Sequence, residues 1–267
     1  MVTRRPPSRI SEGFRSTMAQ GQWAENKAIE TINKDEALRA IRYGQSRVTF
    51  KDRNEFLVYW ERMHKQVLTY GKRPDVLVFE KSDSLDYPDD ISESNEKKVM
   101  DIVKQSLAGL ECRSSTWLLD KYRKIQGKDL NFTVKEEDLD VLIRWSQTYD
   151  NKKVYYVQFF FDSAFALSFD QIRQLLQFGR KNRDYRLKVD RKTEKNTYFI
   201  PVSKGVGFAD CTEMPTLDCE TLIDEIGKVM AIRTPQGGKY ALSPEFVEDL
   251  LHGSDVSQRS LKNFSQQ

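Results

Sequence analysis

Cysteine and histidine are scarce in this chain, whose 267 residues include three cysteines and two histidines. Cys112, Cys211 and Cys219 show no CxxC spacing, which argues against a structural zinc site and leaves too few thiols for a disulfide framework. His64 and His252 do not lie beside a serine or cysteine nucleophile motif, so histidine-driven covalent catalysis is disfavoured as well. His64 reads instead as a flank residue of an apolar helical stripe. Long apolar runs are also missing. No stretch approaches the roughly 18 residues of a membrane span, and Met1 to Arg9 is basic and proline-bearing with no apolar signal core. These absences describe a soluble, cytoplasmic protein whose metal, if it uses one, is hard and oxygen-bound. A dominant charge sign is lacking too. Lys and Arg total 43 against 40 Asp and Glu, a net +3, so the distribution of charge carries more information than its sum.

What is present is enough apolar composition, 39%, to bury one sizeable core. A single unit over residues 1–267 is expected, with a polar arm at 1–21, helices and a central core over 22–178, and a basic segment with terminal elements over 179–267. Trp23 to Arg42 has rough helical periodicity and predicts a helix or helix pair. Phe56 to Leu68 predicts a second amphipathic helix. Val76-Leu77-Val78-Phe79 predicts a buried strand opened by Asp75. Lys97 to Leu107 predicts a helix ending near Gly109, and Leu110 to Ser115 a second strand. Thr133-Val134-Lys135-Glu136 matches a capping box and predicts a helix starting at Thr133. Val154 to Phe161 is the strongest strand signal, and Ser168-Phe169-Asp170-Gln171 predicts a capped helix through Phe178. The tail predicts several strands, a short helix near Leu222 to Val229 and a last helix from Pro244.

Hydrolysis of a phosphodiester with Mg2+ needs carboxylates on a rigid frame and a cation near the attacking water or the phosphate. Asp75 and Glu111, each beside an apolar strand, are candidates for both metal ligation and catalysis. Arg113 falls on the same strand face as Glu111, because strand side chains repeat every two residues. Asp on one strand followed by Glu-x-basic on the next is the core of the PD-(D/E)xK signature, with arginine standing where lysine is usual. Arginine stays protonated and is a poor proton acceptor, so Lys135 is a candidate for the missing ammonium and Lys121 a weaker one. Glu25 and Glu30 on the first helix are further candidate ligands.

Several blocks in fixed order carry a resemblance. Arg73-Pro74-Asp75, Leu110-Glu111-Cys112-Arg113-Ser114-Ser115 with Lys121-Tyr122, Phe132 to Leu139, Tyr155 to Asp162 and Leu167-Ser168-Phe169 together resemble the AccI family of type II restriction endonucleases, over about Trp23 to Phe199. The resemblance implies a restriction-endonuclease-like α/β core, a mixed β-sheet flanked by helices. It further implies a homodimer that cuts a short, roughly palindromic duplex DNA site with Mg2+, alongside a DNA methyltransferase that protects the host genome.

Gly179 to Asn196 holds eight basic residues, Arg180, Lys181, Arg183, Arg186, Lys188, Arg191, Lys192 and Lys195, against three acidic ones. Beside the carboxylate signature, this run is expected to face DNA and to contact phosphates. Arg73 is expected to do the same next to the metal site, with Lys72 and the Arg42 to Arg47 stretch as secondary candidates. Two other readings compete: a repair or mobile-element nuclease on the same fold, since fold does not fix substrate, and a non-catalytic nucleic-acid-binding protein in which Asp75 and Glu111 are structural.

Overall fold

The structure is a computed structural model that describes residues 12–45, 53–83, 86–126, 129–189, 195–223 and 229–252. In chain order the elements are α1 (Glu12–Ile32), β1 (Leu38–Arg42), α2 (Arg53–Tyr70), β2 (Val76–Glu80), α3 (Glu96–Gln105), β3 (Ala108–Ser114), α4 (Leu119–Gln126), β4 (Asn131–Lys135), α5 (Glu136–Thr148), β5 (Lys153–Phe159), β6 (Ser163–Ser168), α6 (Phe169–Phe178), β7 (Arg186–Val189), β8 (Asn196–Pro201), β9 (Val206–Ile223), β10 (Val229–Leu242) and α7 (Pro244–His252). A seven-stranded mixed sheet runs β1-β2-β3-β5-β6-β9-β10, and a three-stranded sheet runs β4-β8-β7. Only β3 and β5 pair in parallel among the described strands. The expected α/β class, a mixed sheet flanked by helices, is what the chain adopts.

Strand periodicity splits the core in two. Val76, Val78, Leu110, Cys112, Tyr155, Val157 and Phe159 pack on one sheet face with Trp23, Ala24 and Ala28 of α1 and Phe246 and Leu250 of α7. Leu77, Phe79 and Tyr156 point to the other face, against Val99 and Val103 of α3, Leu142 and Trp145 of α5, and Phe132 and Val134 of β4. Strand β2 is therefore apolar on both sides, as a strand covered by helices on both faces must be, whereas β3 turns Glu111 and Arg113 to the second face. Among the described residues, no helix is long and apolar enough to cross a membrane.

Five local expectations are corrected. The arm is helical from Glu12 onward. Leu38–Arg42 is a strand: Ala37 N–H donates to Asp35 Oδ1 (2.8 Å) in a turn, and the Asn33 side-chain amide bonds both the N–H and C=O of Ala40 (2.6 and 3.2 Å), breaking the helical run and starting the ladder with β2. Gly109 lies inside β3 and does not end a helix. A Cβ there would stand 2.4 Å from Pro74 Cγ, so only glycine lets Pro74 cross the strand. Thr133 lies in β4, and α5 starts at Glu136. Phe132 and Val134 are buried between outward-facing neighbours, and pairing with β8 satisfies the backbone groups that a cap would have served. Near the tail, Leu222 and Ile223 end β9 and Val229 opens β10, where a helix was expected; residues 224–228 lie outside the described set.

Candidate active site

The β2-β3 ladder stops at Val76 opposite Leu110. One residue further on, Asp75 replaces the ladder with its side chain: its Oδ2 accepts the Cys112 N–H at 2.7 Å. The carboxylate thus sits beside Glu111. Tyr43 and Gly44 N–H both donate to the Asp75 carbonyl, at 3.0 and 2.9 Å, fixing its backbone from the β1 side.

Glu111 is fully buried. Its Oε1 accepts from Lys72 Nζ and pairs with Arg113 Nη2 at 2.6 Å. Its Oε2 is buried with no hydrogen-bond partner. Asp138, in the first turn of α5, closes the group, with Oδ1 3.4 Å from Lys72 Nζ and Oδ2 3.0 Å from Arg113 Nη2. Two cations therefore lie between two carboxylates. From α1, buried Glu25 ion-pairs with Arg42 and reaches the same centre electrostatically.

Burial pushes the Asp75 carboxyl well above the usual carboxylate range, and the charges of Glu111 and Glu25 push it further. Glu25 is raised mainly by burial, against the pull of Arg42. Burial alone would lower Lys72, but Glu111 and then Asp138 raise it above the ordinary lysine value, so it stays an ammonium at neutral pH. Burial would raise Asp138, yet Lys72, Arg113 and Lys135 hold it below its ordinary value. Burial raises the Tyr156 hydroxyl to about 12, and the Arg113 guanidinium lies over its ring, 5.7 Å from the centroid.

The sequence candidates separate clearly in space. Asp75, Glu111 and Arg113 come together, and Glu25 joins them. Glu30 stands away on the exposed face of α1, paired with Lys27 and Lys34. Lys135 is exposed at the end of β4; its charge acts on Asp138, and the ammonium on Glu111 is that of Lys72. Lys121 is exposed on α4 beside Trp117, Tyr122 and Ile125. Arg73 is buried, with 4% of its surface exposed, and its guanidinium is committed to Glu96 and to the carbonyls of Ser92 and Ser94; this corrects its expected place on a DNA-facing surface. Arg42 pairs with Glu25 and Asn26, while Ser46 and Arg47 lie outside the described residues.

Arg180, Lys181, Arg183, Arg186 and Lys188 are exposed, and Lys195 pairs with Glu137 at 2.8 Å; Arg191 and Lys192 lie outside the described residues. Two side chains of this cluster are not among the sequence candidates for it. In the sequence Lys72 reads as a DNA contact, and Asp138 is one of three acidic residues at a helix start. The signal that finds Lys72 is its place three residues before Asp75 on the same approach to the sheet.

Among the described residues no group of three or more His, Cys, Asp and Glu is arranged to hold a metal ion. The donor set is a pair, Asp75 and Glu111. It fits Mg2+, which is commonly held by one or two carboxylates with the remaining positions left to water and substrate phosphate. The unpartnered Glu111 Oε2 is the oxygen available for it.

A mixed sheet that joins two carboxylates and two cations beside one strand pair places the chain in the nuclease-like α/β class. More narrowly, it belongs to the AccI restriction endonuclease family, whose family model matches residues 2–132 and 122–252. No curated protein and no solved structure matches the chain.

Proposed function

We propose that this chain is a type II restriction endonuclease that hydrolyses phosphodiester bonds at a specific site in double-stranded DNA with Mg2+. Asp75 and Glu111 hold the ion, which when bound supplies Lewis-acid stabilisation of phosphate charge and a more acidic water. Lys72 supplies the ammonium of the site, in place of Lys135. Arg113, bridging Glu111 and Asp138, contributes fixed positive charge towards the phosphate and holds Glu111 in place. The chain works as a two-fold dimer on a site of matching symmetry, in a cell whose methyltransferase protects that site. The observation that carries this reading is Glu111 itself: a buried carboxylate with one oxygen bound by Lys72 and Arg113 and the other left without a partner beside Asp75.

The test is incubation of the purified protein with a long defined DNA and Mg2+, followed by sequencing of the ends. Discrete ends at one short sequence are expected, and random ends or intact DNA would refute site-specific cleavage. Single-turnover rates at saturating enzyme then assign the cation. Lys72→Met, which keeps the aliphatic stem, is expected to lose about 100-fold or more, the scale of a lost electrostatic or acid-base group. Lys135→Ala is expected to stay within a few fold of wild type. The reverse ranking would return the role to Lys135.

A further inference from the structure

Next to the candidate site, a second polar cluster is largely buried. Glu96, the first residue of α3, is 3% exposed and accepts from four side chains. Its Oε1 accepts the hydroxyls of Tyr43 and Tyr149. Its Oε2 accepts Arg73 Nε at 2.5 Å and Gln66 Nε2 at 2.6 Å. Trp145 Nε1 donates to the Tyr43 hydroxyl at 3.1 Å, and the Arg73 guanidinium lies 4.7 Å from the Tyr43 ring centroid. A buried ion pair is weak evidence for stability, because desolvation offsets much of its attraction, and apolar replacements of like volume are often equally stable. A further role is therefore expected of it.

The connections of the cluster identify that role. Arg73 stands between Lys72 and Pro74-Asp75. Tyr43 gives its hydroxyl to Glu96 and its backbone N–H to the Asp75 carbonyl. Gly71, at φ +87°, turns the chain where a Cβ would stand 2.2 Å from Trp145 N, and Lys72 N–H then donates to the Val141 carbonyl at 2.9 Å. Lys72 and Asp75 are thus set from three sides by groups that end on Glu96 or α5.

We propose that Arg73, Glu96, Tyr43 and Tyr149 form a positioning cluster that sets Lys72 and Asp75 against Glu111, and so governs metal affinity and cleavage rate without touching DNA. The inference rests on the reading of Asp75 and Glu111 as metal ligands. It gives Arg73 a positioning role, and it explains why a buried charge directly precedes the Pro74-Asp75 pair.

The experiment compares wild type with Arg73→Lys, with Tyr43→Phe combined with Tyr149→Phe, and with Phe246→Leu, a core change between α7 and the sheet that matches general destabilisation. Each is checked by circular dichroism and thermal unfolding. Ca2+ binding is then measured by calorimetry, DNA binding is measured in Ca2+, and single-turnover cleavage is followed against Mg2+ concentration. The cluster variants are expected to bind Ca2+ several-fold more weakly and to need several-fold more Mg2+. They are expected to cut about 10-fold to 100-fold more slowly, as small misplacements of catalytic groups do, with DNA affinity within about threefold of wild type. Phe246→Leu is expected to keep the wild-type metal response.

Wild-type Ca2+ and Mg2+ responses in either folded cluster variant would overturn the proposal, and so would equal losses in Phe246→Leu. If Arg73→Lys does not fold, the double tyrosine variant, which retains the ion pair, decides alone. If wild type binds Ca2+ and the cluster variants bind it more weakly, but no DNA is cut, the positioning role stands and the nuclease reading falls.

Discussion

Neighbouring residues in the Lys72 to Asp75 stretch have opposite fates, although their residue types alone gave little hint of it. Lys72 and Arg73 read alike as basic residues beside a metal site, yet one reaches Glu111 and the other turns inward to Glu96. Which of two adjacent cations enters a site depends on carboxylates brought from elsewhere in the chain, here Glu111 on β3 and Glu96 on α3, and such partners are not local information. Asp75 and Glu111 were legible because each borders a strand that is apolar enough to identify. Their crowding carries a prediction. Asp75, Glu111 and Glu25 repel one another across a buried centre, so Asp75→Asn, which keeps the shape and can still accept the Cys112 N–H, relieves that repulsion. In EDTA it is expected to be more stable than wild type by about 1 kcal/mol, within the range of single stabilising changes. Cleavage is expected to fall by about 100-fold or more. Denaturant titration in EDTA beside a cleavage assay checks both, and a variant less stable than wild type that still cuts would contradict the assignment.

Two segments with the same capping pattern, Ser168 to Gln171 and Thr133 to Glu136, became different elements. At Ser168 the pattern does what it predicts. Its Oγ accepts the Gln171 N–H at 3.2 Å, Gln171 Oε1 accepts the Ser168 N–H at 3.1 Å, and α6 follows. At Thr133 the backbone pairs with Phe199 of β8, more than sixty residues away in sequence, and the helix begins three residues later without a side-chain cap. Local pattern loses where long-range pairing satisfies the same groups and the period-two burial of Phe132 and Val134 can be met. The long β9 and β10 strands were blurred for the same reason, since their pairing is legible only once they face each other. Substitution separates the two cases. Ser168→Ala is expected to cost about 1 kcal/mol, the usual loss for a cap. Thr133→Val keeps a β-branched residue in the strand and gives up only the long 3.4 Å hydrogen bond from its hydroxyl to Gln158 Oε1, so it is expected to cost about half as much. Equal losses in chemical denaturation would mean that Thr133 serves as a cap after all.

For the whole molecule, a net charge of +3 says little, but its placement says more. The exposed cations of 180–188 lie on the approach to β7 and on β7 itself, the edge of the three-stranded sheet. That sheet is pinned to the start of α5. Asn196 and Tyr198 of β8 donate to Glu136 at 2.7 and 2.6 Å, and Lys195 pairs with Glu137. Asp138, which joins Lys72 and Arg113, lies in the same helical turn. A phosphate backbone held along β7 would therefore be held by a sheet fastened to the helix that carries Asp138. Arg186 and Lys188 are two residues apart on the strand and project from one face. If both meet phosphates, replacing them with glutamine is expected to weaken DNA binding at every sequence alike. The slope of log affinity against log salt should then become shallower by about 0.9 for each lost contact, close to 2 for the pair. Ca2+ affinity should not change, because neither residue contacts Asp75 or Glu111. Arg73→Lys should behave in the opposite way, with an unchanged salt slope and a changed metal response, since its cation is inside. Affinities measured by fluorescence anisotropy from 50 to 300 mM salt in Ca2+ distinguish the two. A shallower slope in Arg73→Lys, or an unchanged one in the Arg186 and Lys188 double variant, would move the DNA path away from β7.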